Sequence, residues 1–292
     1  MATVYTHIGE NKRKTWLLVI LYVVIITAIV WFAQNMYGFG YQFVFIATGL
    51  SLVMSLVSYY AGDKVALAAS GAQEVSKEDN SYIVNLVENL AITAGLPMPK
   101  VYVMQDPAIN AFATGRDPQH ASVAVTSGAI QNLEKLELEG VIAHELSHVG
   151  NYDIRIMTIV VVMVGIISIL AQMLTRGRMF RNNDRENEAG GILMIVGFVL
   201  IILSPIISQL IQLAVSRRRE YLADASGVLL TRYPEGLARA LEKIEEQNRP
   251  LIHKSSATAH LFISNPFSAK GFANLFSTHP PIAERIKRLR GM

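Results

Sequence analysis

Ala143-His144-Glu145-Leu146-Ser147-His148-Val149 is the stretch on which the reading of this chain turns. Its pattern is H-E-x-x-H. On an α-helix, residues four apart share a face, so His144 and His148 can aim their imidazoles at one point. Two neutral imidazoles about 2.0–2.1 Å from a zinc ion make half of a tetrahedral site. Glu145 is one residue round the helix from His144, near such an ion but off the ligand row. There it is placed to accept a proton from water that the ion acidifies. The flanking residues suit a helix. Leu133, Leu136, Leu138, Val141, Ile142 and Leu146 make an apolar surface, and Glu134, Lys135, Glu137 and Glu139 crowd early turns predicted to face solvent.

The ligand set needs a third member. Glu220-Tyr221-Leu222-Ala223-Asp224 puts two carboxylates four apart, again on one helical face. Glu220 is the candidate third ligand, leaving the fourth position open as a catalytic zinc requires. Asp224 is a candidate to take a hydrogen bond from the second nitrogen of a ligating histidine. The 292-residue chain has no cysteine, so a thiolate site is excluded and any metal must use His, Asp or Glu.

Charged residues make up 17% of the chain and hydrophobic ones 51%, whereas a soluble domain carries about 25% charged residues. The deficit sits in uncharged tracts. Residues 15–62 form one, interrupted by Gln34-Asn35-Met36-Tyr37-Gly38-Phe39-Gly40, which predicts helices near 16–33 and 41–60. Residues 156–175 and 189–216 form two more, and a spanning helix needs about 20 apolar residues. A cleaved signal peptide fits poorly, because the first run is too long and a second follows it. Lys12, Arg13 and Lys14 before the first tract, and Arg217-Arg218-Arg219 after the last, predict that these ends are cytoplasmic. Four segments result: an N-terminal transmembrane hairpin (1–62), a first part of a metal-binding domain (63–155), a second candidate transmembrane hairpin (156–216), and the rest of that domain (217–292). No basic stripe with interleaved aromatic residues argues for nucleic acid.

Within the domain, 78–94 is amphipathic and ends at Gly95 with Pro97 beyond. Residues 100–105 read as a strand, and 108–114 with 122–126 as a hairpin, giving a small antiparallel sheet before the metal helix. Asn110-Ala111-Phe112-Ala113-Thr114 is the candidate edge, able to accept an extended peptide as another strand. Residues 234–247 and 281–290 read as helices, and 250–274 as loop-rich. The expected fold class is mainly α: a polytopic α-helical membrane protein with a metal-binding domain containing that sheet, which the family resemblance given next implies to be a gluzincin-like metalloprotease domain.

Four motifs, His144-Glu145-Leu146-Ser147-His148, Glu220-Tyr221-Leu222-Ala223-Asp224, Asn110-Ala111-Phe112-Ala113-Thr114-Gly115 and Thr278-His279-Pro280-Pro281, together resemble the M48 zinc metalloproteases. Length and four-tract layout resemble the HtpX-type bacterial membrane proteases within that family. The resemblance implies that His144, His148 and Glu220 bind one Zn²⁺ per chain and that Glu145 is the general base and acid. It implies a substrate cleft lined by Asn110, Ala111, Phe112, Ala113 and Thr114, with His279 facing the reacting carbonyl. Arg285, six residues after His279, is a candidate oxyanion helper. The implied role is cleavage of misfolded or surplus membrane proteins at the cytoplasmic face of the bacterial inner membrane. Two other functions stay open: processing of lipidated C-terminal peptides, and a non-catalytic membrane scaffold stabilised by zinc. Nothing in the sequence fixes the oligomeric state.

Overall fold

The computed structural model describes residues 4–38, 40–165, 216–255, 257–267 and 280–292. Two long helices open the chain, α1 (Val4–Tyr37) and α2 (Gln42–Ala69). They separate where the sequence predicts, at Gly38 and Gly40, whose φ values of 71° and 97° favour glycine. Each helix outruns its predicted stretch, because its polar ends stay helical and continue into the folded domain. Gly9–Phe32 and Val44–Ala69 are long and apolar enough to cross a bilayer. Both expose most of their side chains, as lipid-facing helices do.

A further helix, α6 (residues 153–165), begins the third apolar tract. Ile156, Met157, Ile159, Val160 and Val161 are buried in a cluster with Leu18 of α1 and with Ala66 and Leu67 of α2. Gly62 permits this approach, since a Cβ there would lie 2.8 Å from Thr158 Cγ2. Residues 166–215, with the rest of the second predicted hairpin, lie outside the described residues.

The domain between and after these helices contains β1 (Ala72–Glu74), α3 (Ser81–Ala94), β2 (Lys100–Met104), β3 (Ala111–Gly115) and β4 (Ala121–Thr126). Then come α4 (Ser127–Asn132), α5 (Lys135–Gly150), α7 (Arg217–Thr231), α8 (Pro234–Gln247) and α9 (Ile282–Leu289). Local chemistry sets several boundaries. Asn80 caps α3 by accepting the Ile83 N–H, and Gly95 ends it at φ 65°. Of the stretch 250–274 expected to be loop-rich, the described residues 250–255 and 257–267 form turns without a regular element, and the rest lie outside the described residues.

The sheet corrects the expectation. Its order is β1-β2-β4-β3, with β3 antiparallel to β4 as predicted but β2 parallel to β4. The sheet is mixed because the hairpin folds back to insert β4 between β3 and β2. Every residue of β4 is buried, which suits a strand paired on both edges and covered on both faces. β1 was not predicted; three residues carry too little periodicity to stand out.

α5 lies at the centre of the domain, packed between β3 and β4 on one side and α3, α7 and α8 around the rest. Two readings of its flanks are corrected here. Leu136, assigned to the apolar surface, is exposed, whereas Glu137, assigned to solvent, is buried. α8 causes the second reversal: Lys243 Nζ pairs with the Glu137 carboxylate at 2.7 Å, and the same carboxylate accepts the Glu134 N–H.

Candidate metal centre

α5 and α7 meet with their functional faces together. α7 comes close because residue 227 is glycine; a Cβ there would sit 3.0 Å from the backbone nitrogen of His144. That approach brings Glu220 to the two histidines of α5. His144 Nε2 and His148 Nε2 are 3.3 Å apart, and Glu220 oxygens lie 3.7 Å and 3.6 Å from them. Ligands about 2.0–2.1 Å from one tetrahedral ion are separated by about 3.3–3.4 Å. All three residues are buried, and their ligand atoms fall within 4.8 Å of one another.

The far side of each imidazole is held by a carboxylate. His144 Nδ1 is 2.9 Å from Asp224 Oδ1, and His148 Nδ1 is 3.2 Å from Asp153 Oδ2. An ionised carboxylate only accepts, so both rings donate Nδ1–H and present Nε2 lone pairs to the same point. Two lone pairs 3.3 Å apart call for a cation or a proton between them. Burial depresses His148, but Asp153 and Glu220 outweigh it and hold the imidazole up to about 9 in the metal-free protein. His144 moves the other way, lowered by burial. The donor set of two imidazoles and one carboxylate, with no thiolate, therefore fits zinc with one position left open.

Glu145 stands beside this cluster, also buried. Burial pushes its carboxyl up to about 7, with nearby His148 opposing, and the Ala113 N–H of β3 hydrogen-bonds to it. A carboxylate near neutrality can take and return a proton at cellular pH.

Arg285, the candidate oxyanion helper, sits beside Asp224 and Glu220, with Nη1 3.7 Å from Glu220 Oε2. It is fully buried, with Nε 3.0 Å from Asp224 Oδ2 and Nη2 2.7 Å from Oδ1. Nη1 donates to the Ile263 carbonyl, and Nη2 lies 3.5 Å from His144 Nδ1, on the side of the ring away from the ligand nitrogen. Its donors are thus engaged in bracing Asp224, the partner of His144. Although burial opposes ionisation, Arg285 and His144 hold Asp224 down to about 2.

β3 is an edge strand, as predicted, but less open than the five-residue edge suggests. Asn110 Nδ2 donates to the Ser264 carbonyl, Ala111 O accepts the Ile263 N–H, and Thr114 Oγ1 meets Thr158 Oγ1 at 2.8 Å. Phe112 is turned into the core against Phe262. Ala113, between these anchors, is the residue that faces Glu145. His279 lies outside the described residues; Pro280 and Pro281, which follow it, lead into α9 and Arg285. Two further residues were missed as partners of the site. Asp153 orients His148. Asn11 of α1 donates to Asp153, and no signal local to either residue announces that meeting.

Residues 76–292 match the family model described as Peptidase family M48. The chain belongs to peptidase family M48. Its M48 relatives include a Protease HtpX homolog of Dictyoglomus thermophilum, 46% identical over 293 residues, covering 99% of this chain and 95% of the relative. A Protease HtpX homolog of Tropheryma whipplei is 48% identical over 288 residues, covering 99% and 98%. The fold is similar to that of S. mikatae Ste24p, TM-score 0.50 at 18% identity, across 97% of this chain and 66% of that one. M48 membership and the His144–His148–Glu220 cluster make the chain a metalloendopeptidase.

Proposed function

We propose that the chain is a zinc-dependent endopeptidase of the bacterial inner membrane that cleaves misfolded or surplus membrane proteins at the cytoplasmic face. The observation that carries this reading is the convergence of His144 Nε2, His148 Nε2 and the Glu220 carboxylate, their ligand atoms within 4.8 Å of one another, with Glu145 beside them. Zn²⁺ held by these three residues supplies the Lewis acidity that polarises a peptide carbonyl and acidifies water.

The remaining steps belong to the chain itself. An extended peptide runs along β3 at Ala113, which places its scissile bond near Glu145. Glu145 accepts the proton of the attacking water and delivers it to the departing amine. Asp224 and Asp153 keep both imidazoles in the tautomer that offers Nε2, and Arg285 keeps Asp224 ionised. His279 stabilises the oxyanion as the carbonyl becomes tetrahedral. The basic residues Lys12–Lys14 and Arg217–Arg219 support a site on the cytoplasmic side, where surplus membrane proteins present their loops and ends.

Casein and a lipidated C-terminal peptide, offered separately to detergent-purified protein with zinc, test this reading. Casein hydrolysis is expected. Cleavage of the lipidated peptide alone would replace the proposal with a narrow processing role, and cleavage of neither would leave a scaffold.

A further inference from the structure

The junction between α5 and α6 carries a connection that the catalytic reading does not use. Tyr152 adopts φ 60°, an uncommon conformation for a residue with a side chain. This turn ends α5 at Asn151 and starts α6 at Asp153, so Asp153 can point back at His148. Two neighbouring residues of α1 grip the turn. The Asn11 amide spends both hydrogens there, donating 2.9 Å to the Asn151 carbonyl and 2.9 Å to Asp153 Oδ1. Lys12 sets its ammonium 4.5 Å from the centre of the Tyr152 ring. Asn11 is buried despite standing at the start of an apolar span. Asp153 is therefore held from three sides: His148 Nδ1 on one oxygen, with Asn11 Nδ2 and, at 3.4 Å, Arg219 Nε on the other.

An amide that presents two donors to one turn fixes the carboxylate's rotation, and the carboxylate fixes the plane of the imidazole. We propose that Asn11 is a positioning residue for the metal ligand His148, acting through Asp153. The metal centre is then fully assembled only while the N-terminal apolar helix is seated against the domain. The inference rests on the metal-centre reading and deepens it: a helix that lies in the bilayer supplies part of the outer shell of a site outside it. Residues in such shells change metal affinity by about 10–100-fold when removed. Asn11, one bond further out, belongs at the lower end.

The test is the zinc dissociation constant of the full-length chain in detergent, measured by chelator competition. Asn11→Leu should bind zinc about tenfold more weakly than the unsubstituted chain. Asp153→Ala should bind it more weakly still, and adding Asn11→Leu to Asp153→Ala should change nothing further, which a general loss of packing would not predict. At saturating zinc, Asn11→Leu should recover most of its kcat. Should Asn11→Leu fail to fold, Asn11→Ala, which removes both donors without adding bulk or charge, must show the same loss. Unchanged affinity in either variant, or an equal loss in the Asp153→Ala background, would overturn the inference. Absence of zinc binding by the unsubstituted chain would instead sink the metal-centre reading beneath it.

Discussion

At the scale of single residues, the site is a set of protons waiting to be displaced. His148, held up to about 9 by Asp153 and Glu220 against the effect of burial, carries a proton at pH 7 in the metal-free chain. Metal binding needs that nitrogen bare. Affinity for zinc should therefore rise about tenfold per pH unit from pH 7 and level off above about 9, with a proton released on binding. Calorimetry in two buffers of different ionisation enthalpy reads this directly; a flat profile would contradict it. The same shift has a sign for stability. Because the folded imidazole titrates above its ordinary 6.5, it stabilises the metal-free fold below about pH 6.5, and that contribution is lost as pH rises through about 9.

At the scale of elements, what was legible in the sequence is what a single helix decides. His144 and His148 share a face because they are four apart, as do Glu220 and Asp224, and no partner helix is needed to see it. Gly95 ends α3 for the same local reason, whereas the Asn80 cap at its start was not singled out. What tertiary structure decides was not legible. Glu137 was read as solvent-facing because the period of a helix does not reveal that Lys243 of another helix will cover it. The parallel pairing of β2 with β4 leaves no local mark, and Asp153 finds His148 only through the turn at Tyr152. The helices themselves are held by close approach. A Cβ at Gly140 of α5 would fall 2.7 Å from the backbone nitrogen of Leu237 on α8. Gly140→Ala should accordingly force α8 away and cost about 1–3 kcal/mol, measurable as a lowered midpoint of unfolding in detergent. Unchanged stability would mean that the two helices are not packed as described.

At the scale of the whole molecule, the metal imposes a topology. With His148 and Glu220 as ligands of one ion, the chain at Asp153 and at Arg217 would lie on the same side of the membrane. Any crossings between them would be even in number. The proposed second hairpin over 156–216, whose apolar stretches are long enough to span, would set residues 176–188 outside the cytoplasm. Single cysteines in this cysteine-free chain at Glu78, Asn183 and Lys254 test the arrangement with an impermeant thiol reagent on intact cells. Asn183→Cys alone should be labelled. Labelling at Glu78→Cys or Lys254→Cys would reverse the orientation, and silence at all three, relieved by lysis, would mean that 166–215 does not cross. The central claim is that the metal site is a catalytic one. Metal content and casein hydrolysis, measured together on the unsubstituted chain, Glu145→Gln and Glu220→Ala, test that most directly. The account predicts about one zinc per chain and hydrolysis in the first, zinc without hydrolysis in the second, and neither in the third. Full turnover by Glu145→Gln, or full zinc in Glu220→Ala, would contradict it.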